Sequence, residues 1–209
     1  MKIILLADKE QKVELIPHQQ EIGAELIWSD DLGSLQNYSG ADACIDLLFD
    51  DTVARIKQLR QLQSPVIIVS SVIMRSAELG TGIIRINGWN TFLKRQIIEA
   101  AADEELRKKA STVFLSINKK VEWVPDITGF ISSRVVASII NEAYFALEEE
   151  VSSKEQIDTA MKLGTNYPYG PFEWGEKIGL QRIHKLLNNL SSAEKRYSPA
   201  PSLIKEAKI

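Results

Sequence analysis

The first half of the chain alternates short apolar runs with longer polar stretches. In residues 52–62 and 103–117, apolar side chains recur at three- and four-residue spacing, which is typical of amphipathic helices. Strands that alternate with helices form βα units, and such units build a mostly parallel sheet. We therefore predict a Rossmann-like α/β domain, truncated in comparison with a full dinucleotide-binding domain. The predicted strands are residues 2–7, 25–28, 43–48, 66–70, 83–86, 96–100 and 121–124.

The second half has helical periodicity throughout. Residues 129–150 contain no interior glycine or proline, which predicts one long helix. Ser152 and Ser153 are each followed three residues later by Glu155 or Gln156, which is the spacing of a capping box. A second helix should therefore begin there and end near Gly164, where glycine can adopt a left-handed conformation. We predict an all-α domain over residues 125–209 after an α/β domain over residues 1–124. Its further helices are predicted at residues 172–178, 180–190 and 203–207.

Composition narrows the classes of partner. The 25 basic and 28 acidic residues are interspersed, so no basic stripe exists that could neutralise a nucleic-acid backbone. The apolar run at residues 3–7 is followed at once by Asp8 and Lys9, which makes it too short for a signal-peptide core or a membrane span. Cys44 is the only cysteine, so no disulfide can form within the chain. We expect a cytoplasmic protein that binds neither nucleic acid nor membranes.

The strongest motif lies in the second half. Asp126, Gly129, Phe130 and Arg134 follow the pattern D-x-x-G-F-hydrophobic-x-x-R. The run Asn141-Glu142-Ala143 and the pair Ile157-Asp158 come next, and residues 164–172 match G-x-x-Y-P-x-G-P-F. This half resembles the C-terminal domain of 3-hydroxyacyl-CoA dehydrogenases. The resemblance implies a domain that closes over an acyl-CoA and forms much of a dimer interface. A homodimer through the helical domain is therefore expected.

The resemblance extends to the first half, where residues 41–51 look like a strand and turn of the family. In the family a histidine, oriented by a glutamate, takes the hydroxyl proton while hydride passes to NAD. Asn87 stands at the histidine position of the family's H-F-F-N-P element, whereas Asn90 and Glu99 keep its asparagine and glutamate. An amide cannot act as a general base at neutral pH. Glu99 is thus the remaining catalytic candidate.

The resemblance also implies substrate-binding positions. Ser70 and Ser71 lie at the strand end where the family carries S-N-T-S-S, although a gapless alignment places the substrate-contacting serine nearer to Val72 or Ile73. Ser133 replaces the asparagine of the family's G-F-x-x-N-R element. We expect Ser70, Ser71 and Ser133, together with Asn87 and Asn90, to form the substrate-binding set.

The cofactor side departs most from the family. The first βα turn should carry G-x-G-x-x-G, but residues 8–12 contain no glycine. The two acidic residues in this segment would repel the pyrophosphate of a dinucleotide. We therefore expect no cofactor, or NAD if activity is retained. Asp30, or Asp31 beside it, lies where a ribose-binding acid would be, although a cap or loop role is the commoner use of such a residue. Only a short loop, residues 32–40, stands where the family has a long helical insertion, so part of the family's ligand-binding surface is expected to be missing.

Metal chemistry is not indicated, because His18 and His184 lie in polar helix-like contexts and no metal-binding motif is present. Three hypotheses remain. The first is a catalytically degenerate 3-hydroxyacyl-CoA dehydrogenase-like protein of acyl-CoA metabolism that still binds an acyl-CoA-like ligand. The second is an active NAD-dependent oxidoreductase with altered catalytic residues, and the third is a non-enzymatic dimerisation module.

Overall fold

The structure is a computed structural model that describes residues 1–16, 22–31, 33 and 40–208. The chain divides into two compact units, Met1–Phe130 and Ile131–Ile209, called here the sheet unit and the helical unit. The sequence pattern placed the domain boundary slightly earlier, after residue 124. Each unit is described by itself.

The sheet unit is built on a sheet of seven strands in the order β2-β1-β3-β4-β5-β6-β7. All pairs of neighbouring strands are parallel except β5 and β6, which run antiparallel. The mostly parallel sheet that the sequence predicts is confirmed, and the predicted strand ends differ by only one or two residues. The strands are β1 Lys2–Leu6, β2 Glu25–Ser29, β3 Ala43–Asp46, β4 Ile67–Ser70, β5 Ile83–Ile86, β6 Ile97–Ala101 and β7 Lys120–Trp123.

Both faces of the central strands are buried, which explains their nearly continuous apolar sequences. Successive side chains of a strand point to opposite faces of the sheet. Ile3 and Leu5 of β1 accordingly pack into one core cluster, while Ile4 and Leu6 pack into another. Burial of each such side chain stabilises the fold by about 1.5–3 kcal/mol relative to leaving it in water.

Four helices accompany the strands in the described part of the sheet unit. Two of them, α2 Val53–Gln61 and α4 Glu104–Ser116, were predicted from their periodicity. The other two, α1 Lys9–Leu15 and α3 Ser76–Leu79, were not, because they are too short to show a helical repeat. A signal for α1 was nevertheless present, since Asp8 and Gln11 have the spacing of a capping box and form one.

The helical unit contains the predicted long helix and the shorter helices that follow it. None of the described helices is both long enough and apolar enough to span a membrane. Helix α6 ends at Thr165, close to Gly164 as predicted, but the residue that adopts the left-handed conformation at its end is Asn166 and not Gly164. Asparagine tolerates that conformation better than most residues. The helices are α5 Ser132–Glu148, α6 Lys154–Thr165, α7 Pro171–Ile178, α8 Leu180–Ser191 and α9 Pro201–Glu206, with a 3-10 turn at Lys195–Tyr197.

Motif residues of the helical unit make its internal contacts. Asn141 donates from Nδ2 to the carbonyl oxygen of Ser198 (2.9 Å) and accepts from the backbone N–H of Ala200 (2.8 Å). Asp158 accepts from the backbone N–H groups of Phe172 (2.8 Å) and Glu173 (3.1 Å), so its carboxylate caps the first turn of α7. These side chains tie separate helices to one another.

Gly170 is required by the same contact. A Cβ atom at this position would lie 2.3 Å from the Cγ and Oδ1 atoms of Asp158. The backbone at Gly170 has φ −72° and ψ 165°, which any residue can adopt. Space for the capping carboxylate, and not an unusual backbone conformation, therefore explains the glycine in the G-P-F part of the motif.

Candidate functional site

The carboxyl ends of β1, β3, β4 and β5 lie at one edge of the sheet, because these strands are parallel. The chain passes from β1 to β2 on one side and then returns to β3 on the other, which makes the β1/β3 junction a topological switch point. Ligands of open α/β sheets bind outside the carboxyl ends of strands near such a point. Four of the predicted site residues, Ser70, Ser71, Asn87 and Asn90, follow or end these strands.

Asn87 and Glu99 form a pair, as the resemblance to the family implies. The backbone N–H of Asn87 donates to the carbonyl oxygen of Glu99 (3.0 Å), and its Nδ2 donates to Oε2 of the same residue (3.2 Å). The antiparallel pairing of β5 with β6 brings the two together. Asn87 is only 3% exposed, so the amide is held in one orientation at the end of β5.

The two serines have different surroundings. Ser70 packs against the backbone after Asn87, since a Cβ atom on Gly88 would lie 2.6 Å from its Oγ. Gly88 therefore permits the close approach of Ser70 to the loop. The hydroxyl of Ser71 donates to Oδ1 of Asp51 (2.6 Å) and is buried. Ser70 therefore adjoins residues 87–91, called here the Asn87 loop, whereas Ser71 is hydrogen-bonded to Asp51 in the turn after β3.

The loop that follows Asn87 is held by helix α1. Nδ2 of Asn90 donates to Oε2 of Glu10 (2.9 Å), and the backbone N–H of Thr91 donates to both carboxylate oxygens of Glu14 (2.9 and 2.7 Å). Thr91 has φ +76°, an unfavourable conformation for a β-branched residue. Sequence reasoning missed Glu10 and Glu14, because their partners lie far along the chain and α1 itself was not predicted.

Helix α1 also closes the first βα turn. The carboxylate of Asp8 accepts from the backbone N–H of Gln11 (2.8 Å), and Oε1 of Gln11 accepts from the backbone N–H of Asp8 (3.0 Å). Nε2 of Gln11 donates to the carbonyl oxygen of Leu47, just after β3 (3.0 Å), and the residue is completely buried. Gln11 thus bridges β1 and β3 at the switch point.

A buried arginine fixes the β4 and β5 strand ends. Arg85 of β5 donates to the carbonyl oxygens of Ser71 (3.1 Å) and Val72 (3.3 Å) and forms an ion pair with Asp126 (2.7 Å). Burial lowers the pKa of the guanidinium, and the carboxylate of Asp126 opposes this effect. No family motif contains Arg85, and a charged residue within an apolar strand was the only available signal.

Other predicted residues lie elsewhere. Asp30 is exposed after β2, while Asp31 accepts from the backbone N–H of Gly33 (3.0 Å), the loop role considered for this pair. Ser133 lies in the first turn of α5 in the helical unit, and its buried Oγ has no hydrogen-bond partner among the described residues. His184 is half-buried in α8, and His18 falls outside the described residues. Within the described ranges, no cluster of acidic, histidine or cysteine side chains suits a metal ion.

Sequence comparisons identify relatives. The family model described as 3-hydroxyacyl-CoA dehydrogenase, C-terminal domain, matches residues 129–208. The 3-hydroxyadipyl-CoA dehydrogenase of Escherichia coli (strain K12) is 45% identical over 114 residues, which are 53% of this chain and 24% of that protein. A 3-hydroxybutyryl-CoA dehydrogenase of Bradyrhizobium diazoefficiens is 35% identical over 113 residues, or 53% of this chain and 39% of the relative. The chain therefore matches less than half the length of either.

Solved structures agree in fold. The crystal structure of (S)-3-hydroxybutyryl-CoA dehydrogenase from Ralstonia eutropha superposes with a TM-score of 0.68 at 22% identity, covering 86% of this chain and 69% of that one. At this identity the match speaks for the fold alone. Residues 129–208 match the C-terminal domain of the 3-hydroxyacyl-CoA dehydrogenase family, and the chain is similar in sequence to dehydrogenases that act on 3-hydroxyacyl-CoA by name.

Proposed function

We propose that this protein works in acyl-CoA metabolism by binding an acyl-CoA-like thioester, without carrying out NAD-dependent dehydrogenation. The observation that carries the proposal is the arrangement of Asp8 and Gln11 at the switch point of the sheet. The proposal extends to this chain a substrate class that its relatives' names describe.

The cofactor side supports the loss of dehydrogenation. Pyrophosphate binds where a glycine-rich turn exposes free backbone N–H groups at a helix N-terminus. In this protein the carboxylate of Asp8 already accepts from that helix end, and a second anion there would be repelled. Gln11 occupies the junction between β1 and β3 through its bond to Leu47. These residues do not fit a dinucleotide, so no step of a reaction is assigned to one.

The chemistry of the Asn87 position supports the same conclusion. A dehydrogenase needs a group that takes the hydroxyl proton as hydride leaves. The amide of Asn87 has no basic lone pair on nitrogen, and its Nδ2 is already committed to Glu99. The geometry at the β5 end therefore suits hydrogen bonding to a ligand oxygen but not proton abstraction by residue 87.

A binding experiment tests the proposal. Calorimetry on the full chain should detect 3-hydroxybutyryl-CoA but neither NAD nor NADH, and mixtures of NADH with acetoacetyl-CoA should show no NADH oxidation. Asn90→Ala should weaken thioester binding about tenfold if this side chain contacts the ligand. Lys185→Ala, a change of an exposed residue on α8 of the helical unit, is the control and should bind the thioester as the wild type does.

Each alternative has its own outcome. Clear NADH oxidation would establish an active oxidoreductase with altered catalytic residues, in which Glu99 is the candidate acid or base. If the protein binds neither the thioester nor NAD nor NADH, the result would favour a dimerisation module that binds no small molecule. Thioester binding that Asn90→Ala leaves unchanged would move the ligand away from the Asn87 loop.

We also propose a homodimer formed through the helical unit. Ile131 and Val135 stand one turn apart at the start of α5 and are 54% and 53% exposed. Apolar side chains at this spacing form a stripe that a second copy can cover. Sedimentation velocity should show a dimer, and Val135→Glu should shift it to monomer while Glu142→Gln, an exposed change on the same helix, leaves it intact.

A further inference from the structure

The amide of Asn87 has a fixed polarity. A carboxylate is an acceptor only, so the group of Asn87 that faces Glu99 must be the amide nitrogen. Its oxygen is consequently directed to other partners, and the backbone N–H of Trp89 approaches it at the long distance of 3.4 Å. Asn87 therefore presents an acceptor with spare capacity at the end of β5.

Asn90 repeats this arrangement. Its Nδ2 donates to the carboxylate of Glu10, which fixes the amide oxygen as the remaining group. Asn90 is 7% exposed, and its Oδ1 is buried with no partner among the described residues. A buried acceptor without a donor is unfavourable, and native proteins usually satisfy it with protein, water or ligand.

The surrounding loop is held in place by the chain itself. Both oxygens of the Glu14 carboxylate accept from the backbone N–H of Thr91, whose φ of +76° is maintained by this contact. The proline of the family's H-F-F-N-P element would stand at Thr91, and proline can neither donate this bond nor adopt that φ. Helix α1 thus orients the loop through Glu10 and Glu14.

We infer that the Asn87 loop binds its ligand by accepting hydrogen bonds, and therefore prefers a 3-hydroxyacyl thioester to the corresponding 3-ketoacyl thioester. A hydroxyl can donate its single proton to the unpartnered amide oxygen of Asn90 or to that of Asn87, whereas a ketone oxygen is itself an acceptor and can donate to neither. Glu10 and Glu99 are positioning residues that set this preference. The inference rests on the proposed acyl-CoA ligand and specifies its oxidation state.

The test compares two thioesters with the same CoA portion. Calorimetry on the full chain should give a Kd for 3-hydroxybutyryl-CoA at least about fivefold lower than for acetoacetyl-CoA. Glu10→Gln should bring the ratio of the two Kd values towards one, because a glutamine can accept or donate and no longer imposes the orientation of Asn90. If Glu10 were only structural, Glu10→Gln would raise the Kd values of both thioesters by the same factor and leave their ratio unchanged.

Glu25→Gln is the matched control, since Glu25 is exposed on the edge strand β2, at the other side of the sheet from β5 and β6. It should leave the ratio at the wild-type value. Equal Kd values for the two thioesters in the wild-type protein would overturn the inference while the proposed function stands. Failure of both thioesters to bind would overturn the proposed function itself, so the two failures are distinguishable, and the wild-type comparison does not depend on the folding of any variant.

Discussion

The two units use the positions that match the family in different ways. In the helical unit, Asn141, Asp158 and Gly170 take part in contacts that join separate segments of the chain. In the sheet unit, the positions aligned with catalytic or phosphate-binding elements lie after strand ends and add little to the core. Packing residues are constrained by many neighbours, whereas residues at strand ends can change chemistry without changing the fold.

This difference explains why the family model matches the helical unit, whereas the sheet unit departs from the family's motifs. The sheet unit keeps a doubly wound order around β1 and β3 while Asp8 and Gln11 occupy the junction. Four substitutions probe this difference between the units.

Arg85→Met should be the most damaging of these changes. It would leave the carbonyl oxygens of Ser71 and Val72, and the carboxylate of Asp126, without their partner, at a cost of roughly 3 kcal/mol in the free energy of unfolding. Urea denaturation measures this loss.

The labelling rate of Cys44, which lies in β3, measures the unfolding of the sheet unit separately from that of the helical unit. Burial, reinforced by the nearby Asp46 carboxylate, raises the pKa of the Cys44 thiol to about 12, so the native thiol should be unreactive at neutral pH. Arg85→Met should accelerate its labelling by a thiol reagent, and Arg85→Lys should do so less. An unchanged labelling rate would show that Arg85 does not stabilise the sheet unit.

Asp158→Ala should destabilise the helical unit by about 2 kcal/mol, because two backbone N–H groups at the start of α7 lose their acceptor. Loss of helical circular dichroism during denaturation measures the effect. Asp158→Asn keeps one acceptor oxygen and should cost less. If Asp158→Ala is as stable as the wild type, this motif residue does not stabilise the start of α7.

Asp8→Ala should cost about 1 kcal/mol, the usual value of a helix N-cap. Thermal unfolding checks this value, and Asp8→Asn, which retains a capping oxygen, should be close to wild type. The variant should still not bind NADH in calorimetry, since Gln11 continues to bridge to Leu47. Gain of NADH binding would show that the carboxylate alone excludes the dinucleotide.

Asn87→His should have the smallest effect, namely no gain of dehydrogenase activity. The change supplies an imidazole beside Glu99, but the first βα turn remains closed by Asp8 and Gln11. NADH oxidation with acetoacetyl-CoA, followed spectrophotometrically, should stay at the level of the protein-free blank. Turnover would mean that residue 87 alone accounts for the difference from active relatives.

Local patterns were sufficient for most of the architecture. The seven strands follow from apolar runs, and the helix that begins at Lys154 follows from its capping box, because these signals depend on neighbours in sequence. The resemblance likewise brought Asn87 and Glu99 together on the basis of motif spacing. Helix α1 was not predicted, because its seven residues are too few to show a helical repeat and only its capping box marks it in the sequence.

The sequence by itself determined the strands, most helices and the resemblance of residues 129–208 to a known domain family. Only the tertiary structure decided which groups satisfy the residues at the sheet edge. Glu10 bonds to Asn90 and Glu14 to Thr91 across more than seventy positions, and Arg85 reaches Asp126 across about forty. Hydrogen bonds over such separations depend on how strands are ordered in the sheet, and no local pattern of hydrophobic and polar residues encodes that order.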